Sequence, residues 1–315
     1  MYYMEIKRVG IIRGGIGETY TSSLRQGGEI ISHIAENLGD KYKTFDILID
    51  KEGSWHLNGL SIKPSDLVRK VDVVWNTAEP SISTTLDNFS IPNVGNNSFS
   101  SALENNNNIL RKYIKNIGVE MPRSVILPTY QKDFDPRYAE GSGEASGPRE
   151  RYSIKKAKEV FEKFSSPWLV KSLTPDASMA IHVAKTFPQL VDAIEDGVKH
   201  KKSILVEEFI IGFPSVAHSI GNFRGEDVYV LPPENLTQPE KENIIVLTKK
   251  LHKHLNAKHY LKFDFTLNPR RGIFLTNASF TPDFRSGSHL EKSCESVGVK
   301  MHHLVEHILN KALKL

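Results

Sequence analysis

A lysine closes the apolar run Trp168-Leu-Val-Lys171, just before a turn and a second strand-like run. An ammonium there is a compact charge able to reach phosphate oxygens; taken alone, it better suits an edge-strand lysine. The run Ile204-Leu-Val-Glu-Glu-Phe-Ile210 carries adjacent carboxylates. Side chains alternate along a strand, so Glu207 and Glu208 point to opposite faces. Either one of them enters an interior or cleft, where it needs a partner or a ligand, or the strand is a solvated edge. In Lys262-Phe263-Asp264 the same alternation sends Phe263 to the core and sets Lys262 and Asp264 together on the other face. Asp264 alone would be a weak magnesium ligand, because hard cations gather several oxygens and usually more than one carboxylate.

Two further patterns have a bland reading that fits better. Gly14-Gly15-Ile16-Gly17 follows a strand-like run and precedes a helix, a place where backbone N–H groups can cradle an anion. The spacing falls short of G-x-G-x-x-G, and no acidic residue clearly ends a second strand about 20 positions on, so a tight structural turn is expected. His303 and His307 are four apart with His302 beside them, a spacing that can bind zinc. No Glu follows the first His as in H-E-x-x-H, so a wet helix face is expected.

The elements that position these residues are legible from periodicity. The N-terminal part alternates strand and helix: Ile6–Ile12, a helix with Leu24, Ile31, Ala35 and Leu38 on one face, Phe45–Ile49, a hairpin over Trp55–Ile62 around Asn58-Gly59, Val71–Trp75 and Ile91–Val94. Such alternation predicts a parallel sheet covered on both faces. A middle part follows, with a helix over Ala102–Asn116, strands Val125–Leu127, Trp168–Lys171, Met179–Ala184 and Ile204–Phe209, and helices Ile154–Phe164 and Pro188–His200. Its charged, Gly-containing stretch from about 129 to 152 reads as a mobile surface insertion. The last part holds strands Val228–Leu231, Leu261–Leu267 and Ile273–Asn277 and helices Glu240–Leu255 and Lys300–Lys314, an α+β pattern. The expected boundaries are 1–97, 98–207 and 208–315.

Composition excludes several classes. With 315 residues the chain exceeds one ordinary core. At 39% hydrophobic and 25% charged it is neither fibrous nor disordered. A net charge of +4 with dispersed Lys and Arg gives no case for nucleic acid. No apolar run reaches the ~18–20 residues of a membrane span, and the start lacks a signal-peptide pattern. Cys294 is the lone cysteine, which suits a reducing, cytoplasmic setting.

In their order, these pieces resemble the D-alanine–D-alanine ligase branch of the ATP-grasp superfamily over nearly the whole chain. The resemblance lies in VGIIRGGIGE, VDVVWNTAEP and IPNVGNNSFSSAL, in PWLVKSLTPDASMAIHV and ILVEEFIIG, and in NAKHYLKFDFTL and IFLTNASFTPDFRSGSHL. It implies an ATP-grasp fold, mixed α/β and α+β, with an N-terminal Rossmann-like domain and ATP held between two antiparallel sheets. It implies activation of one amino acid's carboxylate as an acyl phosphate, attack by a second amine, and magnesium on the phosphates. Homodimerisation is the family's habit. Lys171 matches the phosphate-contacting lysine, Ser178 a serine of the phosphate loop, and Glu207 the hinge glutamate near adenine, with Glu208 and Phe209 beside it. Lys262 stands where the family has an arginine on the acyl intermediate. Asp264 matches the first magnesium ligand, and Ser288 a serine near the second substrate's carboxylate.

The departures are as informative. A second ATP lysine falls at Asn107 and a ribose-binding glutamate at Pro214. A metal carboxylate falls at Asn277, and a metal-binding asparagine at Ser279. The substrate glutamate has Thr19 in register and Glu18 one position away. The phosphate loop lacks glycine, and Leu231-Pro232-Pro233-Glu234 leaves no room for the family's closing loop. Two functions follow: an ATP-dependent carboxylate–amine ligase for a small amino acid or peptide, or a degenerate relative that binds nucleotide or a small ligand without turnover. A dinucleotide oxidoreductase, suggested by the glycines alone, finds no support in the C-terminal half.

Overall fold

The computed structural model describes residues 5–17, 19–95, 97–130, 152–173 and 179–314. The chain forms two compact units, one from Met1–Ile114, Ser215–Phe265 and Asn277–Leu315, the other from Lys115–Pro214 and Thr266–Thr276.

The first unit opens with β1 (Lys7–Gly14), α1 (Tyr20–Asn37), β2 (Tyr42–Ile49), the hairpin β3 (Trp55–Leu57) and β4 (Leu60–Ile62), and β5 (Val73–Asn76). Then come α2 (Ser81–Asn88) and β6 (Asn93–Val94). The strands form one sheet in the order β4-β3-β2-β1-β5-β6, with β1 parallel to β2 and β5. Ile12, Ile47, Ile49 and Val74 pack with Leu67, Ile82 and Leu86 in one core cluster, while Val9 and Ile11 join Ile30, Ile34 and Leu38 of α1 in another. The hairpin turn is the expected one: Asn58 and Gly59 have φ of 48° and 84°, the left-handed pair that such two-residue turns require. The buried face of α1 is Ser23, Gly27, Ile30 and Ile34, not the stripe through Leu24, Ile31 and Ala35. Small residues let the helix approach the sheet, and an apolar count passes over them.

The expected single helix over Ala102–Asn116 is two, α3 (Ser98–Asn105) and α4 (Asn107–Ile114). The asparagine run breaks it. Asn106 is extended, and its side-chain oxygen accepts from the N–H groups of Asn108 (3.0 Å) and Ile109 (3.1 Å), capping the second helix.

The second unit contains β7 (Ser124–Leu127), α5 (Tyr152–Lys163), β8 (Trp168–Ser172), β9 (His182–Ala184), α6 (Phe187–Lys199) and β10 (Ile204–Glu208). Its sheet runs β7-β10-β8-β9, with β10 antiparallel to β7 and β8. Trp168, Val170 and Val206 meet Val160 of α5 and Leu190 and Ile194 of α6 in its core. The expected insertion over about 129–152 lies almost wholly outside the described residues, as does the turn at Pro175-Asp176.

The C-terminal part adds β11 (Phe213–Phe223), β12 (Glu226–Leu231), α7 (Gln238–His254), β13 (Tyr260–Asn268), β14 (Gly272–Ser279), α8 (His289–Glu295) and α9 (Met301–Leu313). The sheet order is β12-β11-β13-β14. Neither β11 nor α8 was expected from the sequence. The strand buries Ser215, His218 and Ser219, so it shows no apolar alternation. The helix is short, and its signal was Ser288 followed by Glu291: the Ser288 hydroxyl accepts from the Glu291 N–H at 3.1 Å. Leu304, Val305, Ile308 and Leu309 of α9 join the same cluster as Val9, Ile11, Ile30 and Trp75. Lys41 and Glu306 pair at 2.6 Å, and the Tyr42 hydroxyl donates to Asn310. No described helix is long and apolar enough to cross a membrane.

Candidate functional site

In the second unit, strand alternation resolves the paired carboxylates. Glu207 turns inward and is 3% exposed. Its carboxylate pairs with the Lys171 ammonium from β8 at 2.8 Å. Glu208 turns the other way, to two guanidinium groups that the sequence did not single out. Arg123 donates through Nε at 3.0 Å and Nη2 at 3.2 Å, and Arg271 through Nη1 at 2.5 Å. Burial alone would raise the Glu208 carboxyl, but these bonds and charges overcome it and bring it down to about 2. Arg271 also stacks over the Phe274 ring at 4.6 Å. Phe209 donates its N–H to the Pro167 carbonyl at 2.9 Å, and with Ile211 and Phe213 it leaves an exposed apolar run after β10.

In the first unit, Phe263 is buried and Lys262 and Asp264 share the opposite face of β13, as expected. Lys262 Nζ lies 3.0 Å from Asp264 Oδ1 and 3.3 Å from Oδ2. The Asn277 amide on β14 donates to Asp264 Oδ2 at 3.1 Å. The Ser279 hydroxyl donates to Glu104 of α3 at 2.5 Å. The Ser288 hydroxyl caps α8. From Tyr260, on the same face of β13, runs a chain of rings that sequence reasoning missed because His218 sits on the unforeseen β11. Tyr260 Oη is 2.7 Å from His218 Nδ1, and His218 Nε2 is 2.8 Å from His289 Nδ1. Burial pushes His218 down to about 3, with His289 and Lys262 adding to the effect.

The glycine turn is structural, as expected. Gly14 and Gly15 have φ of 90° and 110°, and the Gly17 N–H donates to the Glu79 carboxylate at 2.8 Å. A side chain of the protein thus takes the seat an anion would need. A Cβ on Gly15 would lie 2.3 Å from that carboxylate and push it aside, and the φ of 110° is one that L side chains rarely adopt. Glu18 and Ser178, two expected site residues, lie outside the described residues. His307 gives its Nε2 to the Gly221 carbonyl at 2.9 Å, and among the described residues no three His, Cys, Asp or Glu converge as a metal group. The link from β12 to α7 spans residues 232–237.

The expected magnesium set does not suit that ion. Both Asp264 oxygens face an ammonium, one also takes an amide, and the partners at 277 and 279 are neutral. Magnesium requires oxygen donors and favours carboxylates.

Comparison with known proteins agrees with the layout. Residues 221–310 match the family model described as D-ala D-ala ligase C-terminus. The D-alanine–D-alanine ligase of Oceanobacillus iheyensis is 23% identical, covering 98% of this chain and 95% of its own. That of Clostridium botulinum is 20% identical, covering 98% and 99%. Among solved structures, the D-alanyl-alanine synthetase A of Vibrio cholerae has a TM-score of 0.78 at 19% identity over 99% of both chains. The VanG D-Ala:D-Ser ligase of Enterococcus faecalis has 0.73 at 18%, covering 98% of this chain and 100% of its own. Sequence and backbone together make this chain similar to D-alanine–D-alanine ligases over nearly its whole length, with the fold of those enzymes.

Proposed function

We propose that the protein is an ATP-dependent carboxylate–amine ligase for a small amino acid or peptide. The end-to-end similarity to D-alanine–D-alanine ligases supports this most, since it spans 98% of the chain without loss of either half. A carboxylate oxygen of the first substrate attacks the γ-phosphorus as the bond to ADP breaks. The amine of the second substrate attacks the acyl phosphate carbon, and the carbon–oxygen bond to phosphate breaks. Lys171 contacts nucleotide phosphates, with Glu207, Glu208 and the backbone at Phe209 on the adenine side. Lys262 neutralises charge on the acyl phosphate, and Ser178 belongs to the phosphate loop. Glu18 and Ser288 orient the substrates, Ser288 from the N-terminus of α8. The division at 97 and 207, a cytoplasmic setting and a homodimer belong to the same reading. Cys294 suits that setting, being buried with its thiol pushed up to about 12, burial being the main cause.

A second reading, binding without ligation, is favoured by the short 232–237 link, which offers nothing to shield an acyl phosphate from water. The assay mixes protein, ATP, magnesium and amino-acid pairs, and follows phosphate and dipeptide together. D-alanine alone is expected to give phosphate without dipeptide, and another pair to give both in step. ATP bound by calorimetry with no pair coupled would establish the second reading instead.

A further inference from the structure

At the family's metal position Lys262 and Asn277 both engage Asp264, while Ser279 engages Glu104. Lys262 and Asp264 lie two apart on β13, so strand alternation itself sets the ammonium beside the carboxylate. Nζ is within 3.3 Å of both oxygens. Asn277 donates its amide to the same carboxylate, and Ser279 donates its hydroxyl to Glu104. The donor that replaces the second metal carboxylate brings no negative charge to offset the ammonium. A divalent ion approaching Asp264 would meet a fixed positive charge at contact distance.

We propose that the Lys262 ammonium takes the place of a divalent metal at this carboxylate, as a cation built into strand β13. The proposal rests on the ligase reading only for what the site receives: an anionic phosphoryl or acyl-phosphate oxygen. An ammonium has three N–H donors. Two reach toward Asp264, and the third serves an incoming oxygen. Asp264 holds the lysine in place, and the amide of Asn277 keeps the carboxylate from swinging away. The family has an arginine at this position as well as a bound ion; with Asn277 and Ser279 in place of the metal donors, the lysine here supplies the charge neutralisation alone, from a side chain that cannot dissociate.

The test titrates Mn²⁺ into the full chain without nucleotide or amino acid, reading free ion by electron paramagnetic resonance, so it does not depend on turnover. The parent is expected to bind weakly. Lys262→Met, and Lys262→Gln as a second variant, should gain affinity by about tenfold or more as the repelling charge is removed. Adding Asp264→Asn to either should abolish the gain. Circular dichroism confirms that each variant is folded. Tight Mn²⁺ binding by the parent that Asp264→Asn removes would overturn the proposal. So would folded Lys262 variants that bind no better than the parent. If neither Lys262 variant folds, the parent and Asp264→Asn still decide it: weak, equal binding by both supports the proposal.

Discussion

From about pH 8 to about pH 5.5 the protein is expected to lose about 4 kcal/mol of stability. Three imidazoles are held neutral inside the first unit. Burial pushes His218 down to about 3, and His252 and His259 to about 4. Charges around them act mainly in the same direction. His218 faces His289 and Lys262, with Asp283 opposing, and Lys311 faces both His252 and His259, with Lys258 and His307 adding at His259. An unfolded histidine titrates near 6.5. Below that value the unfolded chain binds protons that the folded one refuses. The stability is therefore present above about 6.5 and drains away as pH falls towards 4, by about 1.4 kcal/mol per unit for each ring. Urea unfolding at stepped pH measures this. An unfolding free energy that stays flat down to about pH 5.5 would show that these rings take up protons without unfolding.

Lys171→Met is expected to cost about 3 kcal/mol, because it strands a buried carboxylate without its cation. On the sequence alone, Lys171 is a strand-end lysine whose loss costs little. The structure changes that expectation by placing Glu207, with its side chain 4% exposed, at 2.8 Å from Nζ. Replacing both partners together, as Lys171→Met with Glu207→Met, should recover most of the loss, since apolar groups of similar size tolerate the site. A double-mutant cycle by urea denaturation reads the coupling. Additive losses would mean that the two groups act independently. The same single variant should weaken nucleotide binding, which calorimetry separates from stability.

What was legible in the sequence was local. The Asn58-Gly59 hairpin and the shared face of Lys262 and Asp264 follow from turn chemistry and strand alternation, which need only neighbouring residues. Strand β11 was hidden because its buried positions carry Ser215, His218 and Ser219, whose partners come from other elements. The buried stripe of α1 ran through Ser23 and Gly27, which carry no hydrophobic signal. The guanidinium clamp on Glu208 joins Arg123 and Arg271, 85 and 63 residues away, and no motif spacing encodes such a pairing. The departures at Asn277 and Ser279 were visible, but not that an ammonium occupies the carboxylate they leave behind.

Because α9 completes the core that β1 and α1 begin, the order of synthesis and the order of folding run against each other. Val9, Ile11 and Ile30 leave the ribosome first and Leu304, Val305 and Ile308 last, yet all belong to one cluster. The core of the second unit, from Val125 to Val206, is fully translated while the first still lacks its final helix. The nascent chain therefore carries an uncovered apolar face through most of its elongation. Such a face is aggregation-prone until α9 covers it, and that exposure is set by topology rather than by the stability of the finished protein.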